Sequence, residues 1–229
     1  MSRFTVIALA TAATATLPAL AETRTYDVPD FDGLDVSAGI KVMYETGVPT
    51  SVEVENRKGD FDDIIVEVDD GDLVLKRPRK FGWGGNRAPY TVTVGVLSLS
   101  EVEVSSGAHV EGSGLTGEDA SIEASSGAHV DITGIAVGEI EIDSSSGSHI
   151  EAAGSCAELE AEASSGSTIR AEDLQCTSVS ADVSSGASIR AYATDRVSGE
   201  ASSGGSIRVE GGATNVTADE SSGGSVSVR

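Results

Sequence analysis

Valine and isoleucine alternate with polar residues on both sides of a Ser-Ser-Gly tripeptide, and that tripeptide occurs seven times in the second half of the chain. Its glycines are Gly107, Gly127, Gly147, Gly166, Gly186, Gly204 and Gly223, spaced 18 to 20 residues apart. Three residues after each Gly stands Val110, Val130, Ile150, Ile169, Ile189, Ile207 or Val226, without exception a branched aliphatic. Three before it stand Val104, Ala124, Ser144, Ala163, Val183, Ala201 and Glu220, and five before it Val102, Ile122, Ile142, Ala161, Ala181, Gly199 and Ala218. A period of two marks strands with one buried face. The tripeptide lies between two strands and turns the chain, with Gly supplying positive φ and Ser supplying local hydrogen bonds. A repeat near 20 residues is the signature of a solenoid. The pattern predicts an all-β fold, a parallel β-helix that is right-handed by the crossover rule. Segments this rich in Ser, Gly, Thr and Val do not favour helix. Tyr192 is the only aromatic after Tyr90, which predicts a narrow tube filled by small and branched side chains.

The regular array covers residues 101–229, and residues 22–100 are β-rich but less repetitive. Leu34 to Val42 is an outlying copy of the rung, aligning with Val102 to Val110. Ile65 to Val68 and Leu73 to Leu75 flank Asp70-Gly71, a tight-turn dipeptide that predicts a hairpin. A loop follows over 76–89, then a strand over Tyr90 to Val96. Residues 1–21 read as a cleaved signal peptide, with Arg3, an apolar run to Leu20, and the small-x-small site Ala19-Leu20-Ala21. No other stretch is long and apolar enough to predict a membrane span. Residues 22–229 are expected to form one continuous domain.

Phe31-Asp32-Gly33-Leu34-Asp35-Val36-Ser37-Ala38-Gly39-Ile40-Lys41-Val42, a Gly turn at Gly47, Asp70 to Leu75, and then the Ser-Ser-Gly rungs resemble the head GIN domain family, whose members are described as auto-transporter adhesins. The resemblance spans roughly residues 26–228. The Gly-Ile-Asn that names the family stands here as Gly39-Ile40-Lys41, so its third residue departs. The resemblance implies an exported bacterial β-helical domain and brings no catalytic residues with it. The sequence holds no pattern for a translocating β-barrel, so an autotransporter mechanism is not expected.

The net charge of −22 predicts a surface that repels nucleic acid and anionic lipid and attracts cations. Much of that charge is ordered. Four residues before each tripeptide Gly stands an acid: Glu103, Glu123, Asp143, Glu162, Asp182, Glu200 and Asp219, with Asp35 extending the column into the outlying rung. Like charges stacked about 5 Å apart repel by roughly 1 kcal/mol per pair in a water-like dielectric. Diffuse counterions or Ca²⁺ would offset that, although a flat ladder does not by itself provide the six to eight oxygens of a tight Ca²⁺ site. The bland alternative is that copied rungs inherit one acid, which protects a β surface from aggregation.

Two more columns stand out. His109, His129 and His149 occupy one position on three adjacent rungs, beside Glu111, Asp131 and Glu151. That is either a Zn²⁺-type site or pH-sensitive patch, or an exposed ladder of stacked rings. Beyond it the same face reads Thr168/Arg170, Ser188/Arg190 and Ser206/Arg208, so it runs from acidic to basic and could orient the packing of two molecules. Cys156 and Cys176 both lie ten residues before a tripeptide Gly. Strands about 4.8 Å apart bring such residues within disulfide range, and an exported chain meets an oxidising compartment.

The loop from Lys76 to Arg87 is the compositional outlier, holding Lys76, Arg77, Arg79, Lys80, Arg87, Phe81 and the only Trp, Trp83. Such residues suit a partner contact or, folded inward, a cap on the solenoid. The last rung, Ser225 to Arg229, is expected to leave strand edges open for a homo-oligomer. Acid pairs suited to polysaccharide hydrolysis are plentiful, but the short turns predict no walls around a substrate. The sequence therefore favours a non-catalytic surface or envelope module that requires no cofactor and contacts a glycan or protein. A polysaccharide-active enzyme and a structural spacer are the alternatives.

Overall fold

The computed structural model describes residues 21–56, 61–78 and 89–229. The segment read as a signal peptide lies outside them, apart from its last residue. The elements are β1 (Glu22–Tyr26), β2 (Gly33–Val36), β3 (Lys41–Thr46), β4 (Ser51–Asn56), β5 (Ile65–Asp69), β6 (Asp72–Lys76), β7 (Tyr90–Val96) and β8 (Glu101–Val104). The array continues with β9 (His109–Ala124), β10 (His129–Ser144), β11 (His149–Ala163), β12 (Thr168–Val183), β13 (Ser188–Ala201), β14 (Ser206–Glu210), β15 (Asn215–Glu220) and β16 (Ser225–Val228). All pair in one sheet that coils into a parallel β-solenoid, and the described residues include no helix.

The array differs from the sequence expectation in one respect. From β9 to β13 a rung is not two short strands but one strand of 14 to 16 residues, running from one tripeptide to the next. Parallel pairing carries around the mid-rung bend, interrupted only by local register shifts such as that between Ile132 and Ile135. The tripeptide is the sharp corner. Its second Ser has φ between 49° and 55° in every copy and its Gly between 70° and 81°. Two successive residues in that region make a type I′ turn. Each turn is closed by the N–H after the Gly donating to the first Ser carbonyl at 2.8–3.2 Å.

The interior follows the columns. Val110, Val130, Ile150, Ile169, Ile189 and Ile207 are buried, each worth about 1.5–3 kcal/mol of burial. Ser144 is the buried polar member of its column, and its hydroxyl meets that of Ser148 at 2.8 Å. Ser148 in turn donates to the Ala124 carbonyl at 2.8 Å, and Ser167 to the Ser144 carbonyl at 2.7 Å, so these buried hydroxyls are satisfied.

The outlying rung stacks directly on the array, with Leu34 opposite Val102 and Val42 opposite Val110. Ala38 and Gly39 take the turn conformation of a Ser-Gly pair, at φ 61° and 71°. The predicted hairpin at Asp70-Gly71 forms between β5 and β6. The sequence did not reveal that β6 and β7 are themselves a rung: Leu75 stands opposite Val36, and Val92 opposite Val42. The connection 77–89 therefore replaces a tripeptide turn. β4 adds antiparallel to β7, and β1 antiparallel to β4, which widens that end. There Phe61 and Tyr90 are buried, with the Arg24 guanidinium 4.5 Å from the Phe61 ring centroid and Arg77 4.8 Å from that of Tyr90. At the other end every residue of β15 is exposed, including Val216, and Val226 and Val228 are only partly buried. No helix among the described residues is long and apolar enough to cross a membrane.

Candidate functional site

Parallel in-register stacking turns each sequence column into a physical line. Asp35, Glu103, Glu123, Asp143, Glu162, Asp182, Glu200 and Asp219 pair neighbour to neighbour without a break. The central five of them line an open trough of about 340 Å³, together with hydroxyl-bearing first serines of the turns such as Ser145 and Ser164. Burial, with crowding by neighbouring acids, raises the carboxyl pKa at three positions of the line, Asp35, Glu103 and Asp143. Burial, then Glu162 and the other nearby acids, push Asp143 from 3.8 up to about 6. Glu103 is raised by burial and then by Asp35 and Glu123, and Asp35 is raised chiefly by burial.

The sign of the effect on stability follows. The folded state holds the Asp143 proton more tightly than the unfolded chain does. The associated stability is therefore present below about pH 4 and is lost as pH rises toward 6. The half-exposed carboxyl is partly screened, so Asp143→Asn should stabilise the protein at pH 7 by about 1 kcal/mol. It should also flatten the pH 4–6 part of a plot of unfolding midpoint against pH. An unchanged midpoint at pH 7 would show that burying the ionised Asp143 among its acidic neighbours carries no cost.

A second face carries the histidines. Lys41, His109, His129 and His149 are in register on four rungs. The His109 and His129 ring centroids are 5.3 Å apart, and those of His129 and His149 4.7 Å. His109 Nε2 lies 2.8 Å from Glu111 Oε1, and His149 Nε2 lies 2.9 Å from Glu151 Oε1. Lys41 Nζ donates to Glu111 at 2.9 Å and Arg170 to Glu151 at 2.7 Å. These donors hold both carboxylates below their usual range, the His hydrogen bond being the larger cause. Burial and the flanking imidazoles lower the His129 pKa. The rings are thus spread one per rung rather than aimed at one point. Among the described residues no group of three or more His, Cys, Asp or Glu is placed to hold a metal ion.

Loop 76–89 is only partly described. Lys76 Nζ pairs with Glu67 at 2.8 Å. The Arg77 side chain is 5% exposed, donates to the Ala38 carbonyl at 3.1 Å and to Asp63 at 2.7 Å, and stacks on Tyr90. Arg77 therefore holds the terminal rung together and is not available as a contact residue. Arg79, Lys80, Phe81, Trp83 and Arg87 lie outside the described residues. Cys156 and Cys176 are in register and joined by a disulfide, with a Cα–Cα distance of 4.6 Å.

Sequence reasoning missed two features of these rungs. Lys41 heads the histidine column, a position legible from the alignment of the outlying rung. The Tyr44 ring covers Gly112, its register partner, where a side chain on residue 112 would collide with the ring. The same offset of 68 that aligns Lys41 with His109 pairs Tyr44 with Gly112, but it does not show that the ring lies over the glycine.

A family model described as "Putative auto-transporter adhesin, head GIN domain" matches residues 30–213. The chain belongs to the head GIN domain family. Solved structures with the same fold include a "putative adhesin" from Bacteroides fragilis, with a TM-score of 0.76 and 20% identity, covering 92% of this chain and 97% of that one. A "putative lipid binding protein" from Parabacteroides distasonis matches with a TM-score of 0.66 and 18% identity, over 91% of this head GIN domain chain and 96% of its own. An adhesin-like protein from Parabacteroides merdae gives a TM-score of 0.66 and 18% identity, with 91% and 96% covered. No curated protein matches the chain. At these identities the likeness to the solved structures speaks to fold alone.

Proposed function

We propose that this head GIN domain is an exported, non-catalytic interaction module of the bacterial cell envelope, adhesin-like in contacting partners through its long lateral surfaces. The observation that carries the reading is the unbroken line of eight carboxylates from Asp35 to Asp219. Such a line repeats one weak contact many times, which suits multivalent binding. Catalysis instead needs two or three groups in distinct environments. The recess beside the ladder is an open trough, and the turns around it are four residues long. A disulfide between rungs suits an oxidising compartment.

The contact surfaces of this reading are the acid ladder, which would attract cationic groups and cations in general, and the basic-aromatic residues Lys76, Arg79, Lys80, Phe81, Trp83 and Arg87. The partner class is an envelope glycan or protein. The exposed edges of β15 and β16 offer a further contact, end to end between copies.

The test is binding of the secreted chain to purified envelope polysaccharide and envelope protein fractions, by biolayer interferometry. F81A/W83A should weaken capture about tenfold or more, with an unchanged circular dichroism spectrum. Equal capture by the variant would remove the loop from the contact surface. Release of reducing ends from the polysaccharide on prolonged incubation would overturn the non-catalytic reading.

A further inference from the structure

The histidine face carries a second line of charge, one column over. Glu111, Asp131, Glu151, Arg170, Arg190 and Arg208 occupy six consecutive rungs in register. The sign reverses once, at the midpoint between Glu151 and Arg170. Rotation by 180° about an axis parallel to the strands, passing through that midpoint, places each acid over an arginine. Glu111 then faces Arg208, Asp131 faces Arg190, and Glu151 faces Arg170 of a second copy. The neighbouring column obeys the same operation. It reads His109, His129 and His149, then Thr168, Ser188 and Ser206, so each imidazole meets a hydroxyl.

We infer that this face is a self-recognition surface on which two copies dock face to face with antiparallel solenoid axes. A closed two-fold interface requires a self-complementary patch, and a charge pattern that inverts about its own centre is one. Spacing adds no strain, because both copies carry the same strand separation of about 4.8 Å. The alternative two-fold, along the solenoid axis, would set acid on acid and arginine on arginine, and is rejected by repulsion.

The face is available for such a contact. Asp131, Arg170, Arg190 and Arg208 are exposed, and Asp131 and Arg208 form no ion pair among the described residues. A recess of about 270 Å³ opens beside Asp131, Glu151 and Arg170 and gives an arginine of the second copy room to enter. Six rungs span about 24 Å along the axis, so the buried strip is small. The dimer belongs to the weak, exchanging class, and the net charge of −22 on each copy weakens it further except where salt screens it.

The experiment is sedimentation equilibrium at 0.15 M salt, with protein concentrations from micromolar to about 1 mM. Wild type should show a reversible monomer–dimer equilibrium. D131R alone should dimerise about 100-fold more weakly, since two like-charged pairs replace two opposite ones, and R190E alone should do the same. Mixing D131R with R190E should restore wild-type affinity, because in the mixed dimer every charge again faces its opposite. Both positions are exposed, and unchanged circular dichroism spectra and unfolding midpoints verify that the variants are folded. A wild type that stays monomeric throughout overturns the inference. So does a dimer indifferent to either reversal, which would place association at the open β15–β16 end, and so does a mixture that fails to recover. None of these results bears on glycan or envelope-protein capture by the single chain, so the proposed function is tested separately.

Discussion

Gly154→Ala is expected to cost about 3 kcal/mol or more, while Gly166→Ala costs about 1 kcal/mol. Both glycines have positive φ, 145° at Gly154 and 72° at Gly166. Their surroundings differ. A methyl group on residue 166 meets nothing within 4 Å, so the cost there is the left-handed backbone alone. A methyl group on residue 154 would overlap the backbone of Ile135, its register partner on the preceding rung. Backbone held in a parallel ladder cannot rotate away as a side chain can. The two rungs must separate, and the buried contacts of Ile135 and Leu159 loosen with them. Urea unfolding monitored by circular dichroism checks the difference. Equal costs at the two sites would mean that the mid-rung contact is soft.

The second large effect is expected at the disulfide. Removing it by C156A/C176A should lower stability by about 3 kcal/mol, the chain-entropy value for a loop of this size. The bridge closes 20 residues of sequence and links β11 to β12. Its position matters, because the core there holds less apolar bulk than in β10. Ala152, Ala161, Ala171 and Ala181 fill interior positions of these two rungs that hold Ile132 or Ile142 in β10. Each missing methylene forgoes about 0.8 kcal/mol of burial, so the covalent link stands where packing contributes less than in the preceding rung. Unfolding of the wild type with and without reductant separates loss of the link from loss of side-chain volume. A midpoint that reductant leaves unchanged would show that neighbouring rungs already determine the ordering of this segment.

The columns were legible because the fold is nearly one-dimensional. In a parallel stack a constant offset in sequence becomes a constant position in space. Offset four before the Gly thus predicted the acid line, and equal offsets predicted the Cys156–Cys176 pairing. The rung formed by β6 and β7 was hidden because residues 77–89 replace a short turn and break the offset. The same insertion concealed Arg77, which by type reads as a surface contact. Its burial depends on Tyr90, Asp63 and the Ala38 carbonyl all meeting at the terminal rung.

By itself, then, the sequence determined the solenoid, the order of its columns, the disulfide and the charge reversal along one face. These depend on period and alternation, which are local and repeated. Only the tertiary structure decided which strands run unbroken through a rung and which glycines are fixed by a neighbour's backbone. It also decided which carboxylates are neutralised by His, Lys or Arg and which stand crowded with a raised pKa. These depend on approaches of a few ångströms between side chains on different rungs, and a repeat brings residues to neighbouring positions without specifying which of them touch.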